Sequence, residues 1–189
     1  MLILIDNGHG IETPGKRSPD GTLVEAEWTR AIARRIVDRL YATGLDARLL
    51  VPEPDDIPLR ERCRRANSSG SETLLVSVHV NAAACSGFHN ASGWCAFVAP
   101  NASPASRRLA RMLHDEAAAR DLLGNRATPP QGYLTASLAI CRDTRCPAVL
   151  TENLFMDNRD DLRRLLSDQG RRDIVDLHVE AIRKFVVTA

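Results

Sequence analysis

His9, Glu25, His79 and Glu152 are the residues whose types and places beside apolar runs could do chemistry. His9 follows the run at 2–6, and His79 falls near the end of the run at 74–80, with Asn81 just after it. Glu152 comes directly after the run at 148–151, and Glu25 opens a long amphipathic stretch. In open α/β sheets, ligands bind beyond the carboxyl ends of the strands, and that rule selects these four side chains. Two imidazoles and a carboxylate suit Zn²⁺, whose catalytic sites use about three protein ligands and leave a position for water. A second carboxylate nearby can take a proton from that water, so the set suggests metal-assisted hydrolysis.

The residue types alone leave alternatives open. The candidates are scattered along the chain, without a compact H-E-x-x-H. Glu12, close to His9 in sequence, and Glu27, about 200° round the same helix, rival Glu25 as ligand. Asp6 reads as a turn cap. Gly8 and Gly10 give the chain around His9 backbone freedom and allow close approach to a ligand. His114 and His178 read as packing or surface residues within helices, and His89 as a surface loop residue. The Arg-Arg pairs at 34–35, 64–65, 107–108, 163–164 and 171–172 read as solvated helix faces. No serine sits in G-x-S-x-G, so a serine hydrolase has no support.

The elements that must position these side chains alternate between strand and helix, which argues for an α/β sheet protein. Strands are expected at 2–6, 45–51, 74–80, 93–99, 138–142 and 148–151. Trp28, Ile32, Ile36 and Leu40 recur every four positions, and Ala33 and Val37 widen that stripe, predicting a helix over 25–43 packed on a sheet. Gly44 stands where a C-terminal cap belongs. A short helix over 57–69 would turn Leu59, Cys63 and Ala66 inward. Ser103 and Pro104 are good first residues for a helix to about 120. Residues 121–137 read as a loop. Two helices close the chain, split near Gly170, and the last carries Ile174, Leu177, Ala181 and Phe185 inward.

Composition narrows the class. The chain has 189 residues, 44% hydrophobic and 26% charged, with a formal net charge of +1. This is close to average globular usage and long enough to bury a core without disulfides. No apolar run is long enough for a transmembrane helix. A clustered basic excess, the footprint of nucleic-acid binding, is missing. Lys16 and Lys184 are the only lysines. Cys63, Cys85, Cys95, Cys141 and Cys146 are odd in number and form no C-x-x-C, so isolated thiols of a reducing compartment are expected. The N-terminus shows neither a charged region nor a small-residue cleavage site, so no signal peptide is read there.

Ordered along almost the whole chain stand Ile5-Asp6-Asn7-Gly8-His9-Gly10, Ser18-Pro19-Asp20-Gly21 with Glu25 and Ala33, and Leu59, Arg62 and Asn67. Ser77-Val78-His79-Val80-Asn81 and Pro147 to Asn153, with Met156-Asp157-Asn158 and Asp160, complete the series. In these motifs the chain resembles the zinc-dependent N-acetylmuramoyl-L-alanine amidases of the amidase_3 type, which cleave bacterial cell walls. The resemblance implies a mixed, mostly parallel sheet of about six strands with helices on both faces, a zinc-peptidase-like sandwich. It implies that His9, Glu25 and His79 hold Zn²⁺ and that Glu152 is the catalytic glutamate. Glu25 is favoured over Glu27 because the family's ligand stands eight residues before the alanine that matches Ala33. Arg126 falls where the family has a basic residue before its penultimate strand, and Asn81 and Arg126 are expected to contact substrate.

The implied reaction is hydrolysis of the amide between N-acetylmuramic acid and L-alanine in peptidoglycan. Another zinc peptidase or carboxypeptidase acting on wall peptides, and a non-catalytic wall-binding module, are the alternatives. Two departures stand out. Asn7 replaces the family's usual proline, and the segment before 138 is too short for the inserted helix that blocks zinc in activator-dependent members. An open site with no activator is therefore expected, on a single catalytic domain over 1–189 without a wall-binding domain. Without a signal peptide, the chain reads as a phage-type lysin made in the cytoplasm, or as a trimmed secreted or periplasmic enzyme.

Overall fold

The computed structural model describes residues 1–188. Along the chain run β1 (Leu2–Asn7), α1 (Glu25–Ala42), β2 (Asp46–Leu49), α2 (Leu59–Ser68), β3 (Thr73–Asn81) and β4 (Cys95–Val98). They are followed by α3 (Pro104–Ala118), β5 (Leu134–Thr135), α4 (Ala139–Arg142), β6 (Ala148–Phe155), α5 (Arg159–Leu166) and α6 (Asp168–Val187). The six strands form one sheet in the order β2-β1-β3-β6-β4-β5. The first four in that order are parallel; β4 runs antiparallel to β6 and parallel to β5. The expected mixed, mostly parallel sheet is therefore present.

Side chains alternate across the strands and divide the core in two. Ile3, Ile5, Val76, Val78 and Val149 face a large cluster completed by α1, α3, α5 and α6. Leu4, Leu75 and Leu150 face a smaller one completed by Cys63 and Ala66 of α2 and Ile140 and Cys141 of α4. Helices thus cover both faces, but the second cover is thin. It leaves His79 of β3 and Glu152 of β6 partly exposed on that side.

Several local expectations change. The apolar stretch 138–142 forms the single helical turn α4, with the Arg142 amide bonding to Leu138 O at 2.8 Å. Ile140 and Cys141 are both buried, a consecutive pair that one turn of helix satisfies. A short apolar run carries no period that separates the two states. The penultimate strand is instead the two-residue β5, inside the expected loop. Strand β6 continues to Phe155, so Glu152 lies within the strand. Leu59 is 55% exposed, while Arg62 turns inward with Cys63 and Ala66.

Helices α5 and α6 meet at Ser167, whose hydroxyl accepts from the Gly170 amide at 3.0 Å. Gly170 lies inside the first turn of α6, where a Cβ would sit 2.0 Å from Arg164 O. Ser103 caps α3 as expected, accepting from Ser106 N. Two of the arginines read as solvated make buried-side contacts: Arg164 donates to Arg120 O and Asp121 O, and Arg108 stacks over Phe185. All five cysteines are free thiols. Among the described residues, no helix is long and apolar enough to cross a membrane.

Candidate metal centre

Strand register brings the reactive side chains together. His79 on β3 is paired directly with Glu152 on β6, and Glu152 with Cys95 on β4. Paired residues share a face of a sheet, so the three side chains form a row on the thinly covered side. Asp6 and Ser77 are paired one step deeper. His9 follows β1, and Glu25 is the first residue of α1.

His9, Glu25 and His79 place ligand atoms within 4.8 Å of one another. His79 Nδ1 lies 3.2 Å from Glu25 Oε1, and His9 Nε2 lies 3.5 Å from Glu25 Oε2. The two imidazoles meet edge to face, 5.0 Å between centroids. Glu25 is 1% exposed. Its Oε1 also accepts from the Val80 amide at 3.0 Å, whereas Oε2 is buried without a hydrogen-bond partner. Glu12 and Glu27, the rival carboxylates, are exposed and outside this group.

The surroundings hold this geometry. His9 adopts φ +61°, a left-handed conformation that a non-glycine residue reaches at a cost in strain. Its carbonyl accepts from Arg30 Nη1 at 3.2 Å and Arg62 Nη2 at 3.3 Å. The neighbouring Gly8 carbonyl accepts from Thr29 Oγ1 at 3.1 Å. Gly8 itself lies against the His79 ring, where a Cβ would come within 2.4 Å of Nδ1. The loop before α1 folds back, with Arg17 bridged to Val24 and Lys16 O accepting from Glu25 N at 2.9 Å. Asp6 is no turn cap. It is buried, accepting from Arg62 Nη1 at 2.7 Å and Ser77 Oγ at 2.5 Å.

The electrostatics follow from burial and these contacts. Burial pushes the Glu25 carboxyl up, but the His79 bond, the two histidine charges and the Val80 amide outweigh it. Its pKa therefore lies below the ordinary value. Burial takes His9 down to about 4, with Glu25 opposing. Burial also works to lower His79, but Glu25 and Glu152 reverse the sign and raise it. Glu152, with Oε2 buried and unpartnered, is pushed up to about 7, chiefly by burial. Two imidazoles and an ionised carboxylate oxygen with no donor suit a cation; a divalent ion fits the borderline-soft donor set.

The remaining expected residues sit nearby. Asn81 ends β3, its Oδ1 accepting from Ala82 N at 2.9 Å while Nδ2 is buried without a partner. Arg126 is exposed, its guanidinium carbon 5.5 Å from the centroid of Phe97. Arg30 and Asn153 are supports that residue pattern alone did not mark. Arg30 also donates to the Glu53, Pro54 and Asp55 carbonyls. Asn153 donates to His79 O at 2.9 Å and accepts from Trp94 Nε1 at 3.0 Å. The only sequence signal for Arg30 is its place on the apolar side of α1, between Ala26 and Ala33.

The family model described as N-acetylmuramoyl-L-alanine amidase matches residues 3–184. An endolysin of Bacillus phage SPP1 is 30% identical over 187 residues, 98% of this chain and 66% of that protein. The N-acetylmuramoyl-L-alanine amidase CwlM of Bacillus licheniformis is 28% identical over 186 residues, 97% of this chain and 68% of that protein. The chain thus spans about two thirds of the length of these curated relatives. Among solved structures, an N-acetylmuramoyl-L-alanine amidase from Clostridium difficile 630 superposes with a TM-score of 0.85 at 22% identity. That match covers 99% of this chain and 97% of the other. The amidase Ami1 from Mycobacterium smegmatis gives 0.86 at 21% identity, covering 100% and 98%. These likenesses under 25% identity speak to the fold, and the match over 3–184 to the family. This chain belongs to the N-acetylmuramoyl-L-alanine amidase family.

Proposed function

We propose that residues 1–189 form one catalytic unit that hydrolyses the amide between N-acetylmuramic acid and L-alanine in peptidoglycan. In this reading, His9, Glu25 and His79 hold a zinc ion and Glu152 moves the proton. The observation that carries the reading is the pair of buried, unpartnered carboxylate oxygens, Glu25 Oε2 and Glu152 Oε2, beside two histidines. An unpartnered buried carboxylate is costly. A cation among the three ligands removes that cost at Glu25, and a water or leaving amine removes it at Glu152.

When bound, the ion supplies a Lewis acid that lowers the pKa of water and polarises the scissile carbonyl. Glu152 Oε2 accepts the proton of the attacking water and returns it to the amine nitrogen as the amide C–N bond breaks. A carboxyl pushed up to about 7 is suited to both halves of that transfer near neutral pH. Glu25 stays ionised to hold the cation, and Arg30 and Arg62 hold His9 in its strained conformation. Asn81 Nδ2, unpartnered at the end of β3, is placed to donate to substrate. The His9 and His79 side chains are 22% and 16% exposed, which supports a site that works without an activator. Kinship with a phage endolysin supports action on the wall from a lysin-like source.

The test is digestion of purified peptidoglycan with and without a chelator, with fragments identified by mass spectrometry. Free peptides beginning with L-alanine, lost on chelation and restored by zinc, are expected. Cuts within the peptide would make the chain a different metallopeptidase. No product from zinc-loaded protein would overturn catalysis on this substrate and favour a wall-binding role.

A further inference from the structure

Two hollows adjoin along helix α2. The first, of about 490 Å³, opens at His9 and His79 and runs between α2 and α4. Its walls are mostly apolar, with Ile57, Leu59, Leu138 and Ile140, and its buried charges are Arg62 and Asp6, which pair with each other. The second, of about 640 Å³, lies further along α2, against the loop that follows α4. Ala139 belongs to the walls of both. Leu59 and Arg60, consecutive residues at the start of α2, line one hollow and the other. Together they make one trough that begins at the candidate metal centre.

The far hollow is basic, and its walls are held in place. Arg60, Arg64 and Ser68 stand four residues apart and share one side of α2. Arg145 lines the hollow from the loop after α4. That loop is pinned to the helix by Asn67, whose Nδ2 donates to Asp143 O at 3.0 Å and whose Oδ1 accepts from Arg145 N at 2.7 Å. Asp143, the acid of this hollow, is taken by Arg142 through two bonds of 2.7 Å. Arg64 is taken by Glu61 in the same way. Arg60 and Arg145 make no ion pair among the described residues. Two guanidiniums without counterions therefore line the far end of the trough. Such groups bind carboxylates through paired N–H donors.

We infer that the trough takes the peptide arm of the substrate, with the residues next to the scissile amide in the apolar hollow and a terminal carboxylate on Arg60 and Arg145. This rests on the amidase reading above. Of the two arms of that amide, the glycan offers hydroxyl and acetamido groups, whereas the peptide ends in a carboxylate. Reach sets which peptides fit. From Arg60 to Ser68, α2 rises about 12 Å at 1.5 Å per residue. An extended peptide spans at most about 3.3–3.6 Å per residue, so two residues stay within the first hollow, while four reach about 14 Å and arrive among the arginines. Arg60 and Arg145 are thus specificity-determining residues that select long peptides; Glu152 remains the group that handles the proton.

The experiment uses three soluble substrates: the dipeptide N-acetylmuramoyl-L-alanyl-glutamate, and its extension to four residues with the terminal carboxylate either free or amidated. For the zinc-loaded native chain, kcat/KM should favour the free tetrapeptide over its amide about fivefold to tenfold, mostly through KM, as expected for charge-assisted bonds half open to solvent. The dipeptide, too short to reach the arginines, should do no better than the amide. In the double variant Arg60→Gln, Arg145→Gln the ratio of free to amidated tetrapeptide should fall to about one. Arg35→Gln, Arg172→Gln makes the same change of net charge on α1 and α6, which cover the opposite face of the sheet, and should keep the ratio. Calorimetric binding of the released tetrapeptide, free against amidated, should show the same preference and the same loss without any turnover. Circular dichroism of the double variant establishes that it folds, and the single variants Arg60→Gln and Arg145→Gln replace it if it does not. A native ratio of one, a dipeptide cleaved as well as the free tetrapeptide, a ratio that survives substitution at 60 and 145, or an equal loss on substitution at 35 and 172 would overturn this inference alone. If the native chain cleaves neither dipeptide nor peptidoglycan, the amidase reading falls and this inference falls with it.

Discussion

At Gly8 the ligand geometry leaves no room for a side chain. A methyl group there would occupy the space of the His79 ring, 2.4 Å from Cε1 and Nδ1, so either the ring or the chain leading to His9 must move. Gly8→Ala should lower zinc affinity by about ten- to a hundredfold, the range for loss of a group that orients a ligand. A competitive zinc titration measures this, and affinity within twofold of the native chain would show that the contact positions nothing. Glu152→Ala separates holding metal from using it. The variant should bind zinc like the native chain and lose about 10²- to 10⁴-fold in turnover, the range for a general acid–base group. Metal analysis beside dipeptide hydrolysis tests it; a zinc-loaded, active variant would remove Glu152 from the mechanism.

Helix α2 is tied to the site through Arg62, which reaches across the thin face to Asp6 Oδ1, Asn7 O and His9 O. Removing one partner of a buried ion pair leaves the other charge uncompensated. Arg62→Met should therefore cost about 3–5 kcal/mol, with Asp6→Asn in the same chain recovering part of it. Denaturant midpoints of the two variants decide this, and a single variant as stable as the native chain would mean that Asp6 finds another partner. This pair also marks where sequence stops being legible. Helix α1 follows from the period of its one buried face, and strands β1 and β3 from unbroken apolar runs buried on both faces. Arg62 and Asp6 stand 56 positions apart, and nothing local says that a charged side chain in α2 turns inward in place of Leu59. Residues 138–142 fail for a different reason, since so short an apolar run fits one turn of helix as well as a strand. His9 and His79 were legible because strand ends are legible. The choice of Glu25 over Glu12 and Glu27 needed the resemblance; in the fold Glu25 is buried beside the two histidines, while Glu12 and Glu27 face solvent.

Across the whole molecule, a line of hydrogen bonds joins the helical layer to the candidate metal centre. His178, buried on α6, lies 2.7 Å from Ile174 O through Nδ1 and 3.0 Å from Thr151 Oγ1 through Nε2. A carbonyl can only accept, so Nδ1 carries the proton and neutral Nε2 accepts from the threonine. Thr151 Oγ1 in turn accepts from Asn153 Nδ2, which also donates to the carbonyl of His79. Protonating His178 would place a charge in the main core and turn its acceptor nitrogen into a donor. Burial accordingly takes its pKa from 6.5 down to about 4, only partly offset by the Ile174 carbonyl. In the unfolded chain the same imidazole takes its proton near 6.5. The folded state therefore keeps its full stability from this residue above pH 6.5 and loses it progressively as pH falls toward 4, by on the order of 3 kcal/mol in total. Other groups titrate in that window, so the measurement is a difference. Unfolding free energies of the native chain and of His178→Gln, taken between pH 7.5 and 4.5, should converge as pH falls, because the variant has no imidazole to protonate. Parallel curves would show that His178 takes up its proton equally well in the folded protein, and that the core around Thr151 tolerates the charge.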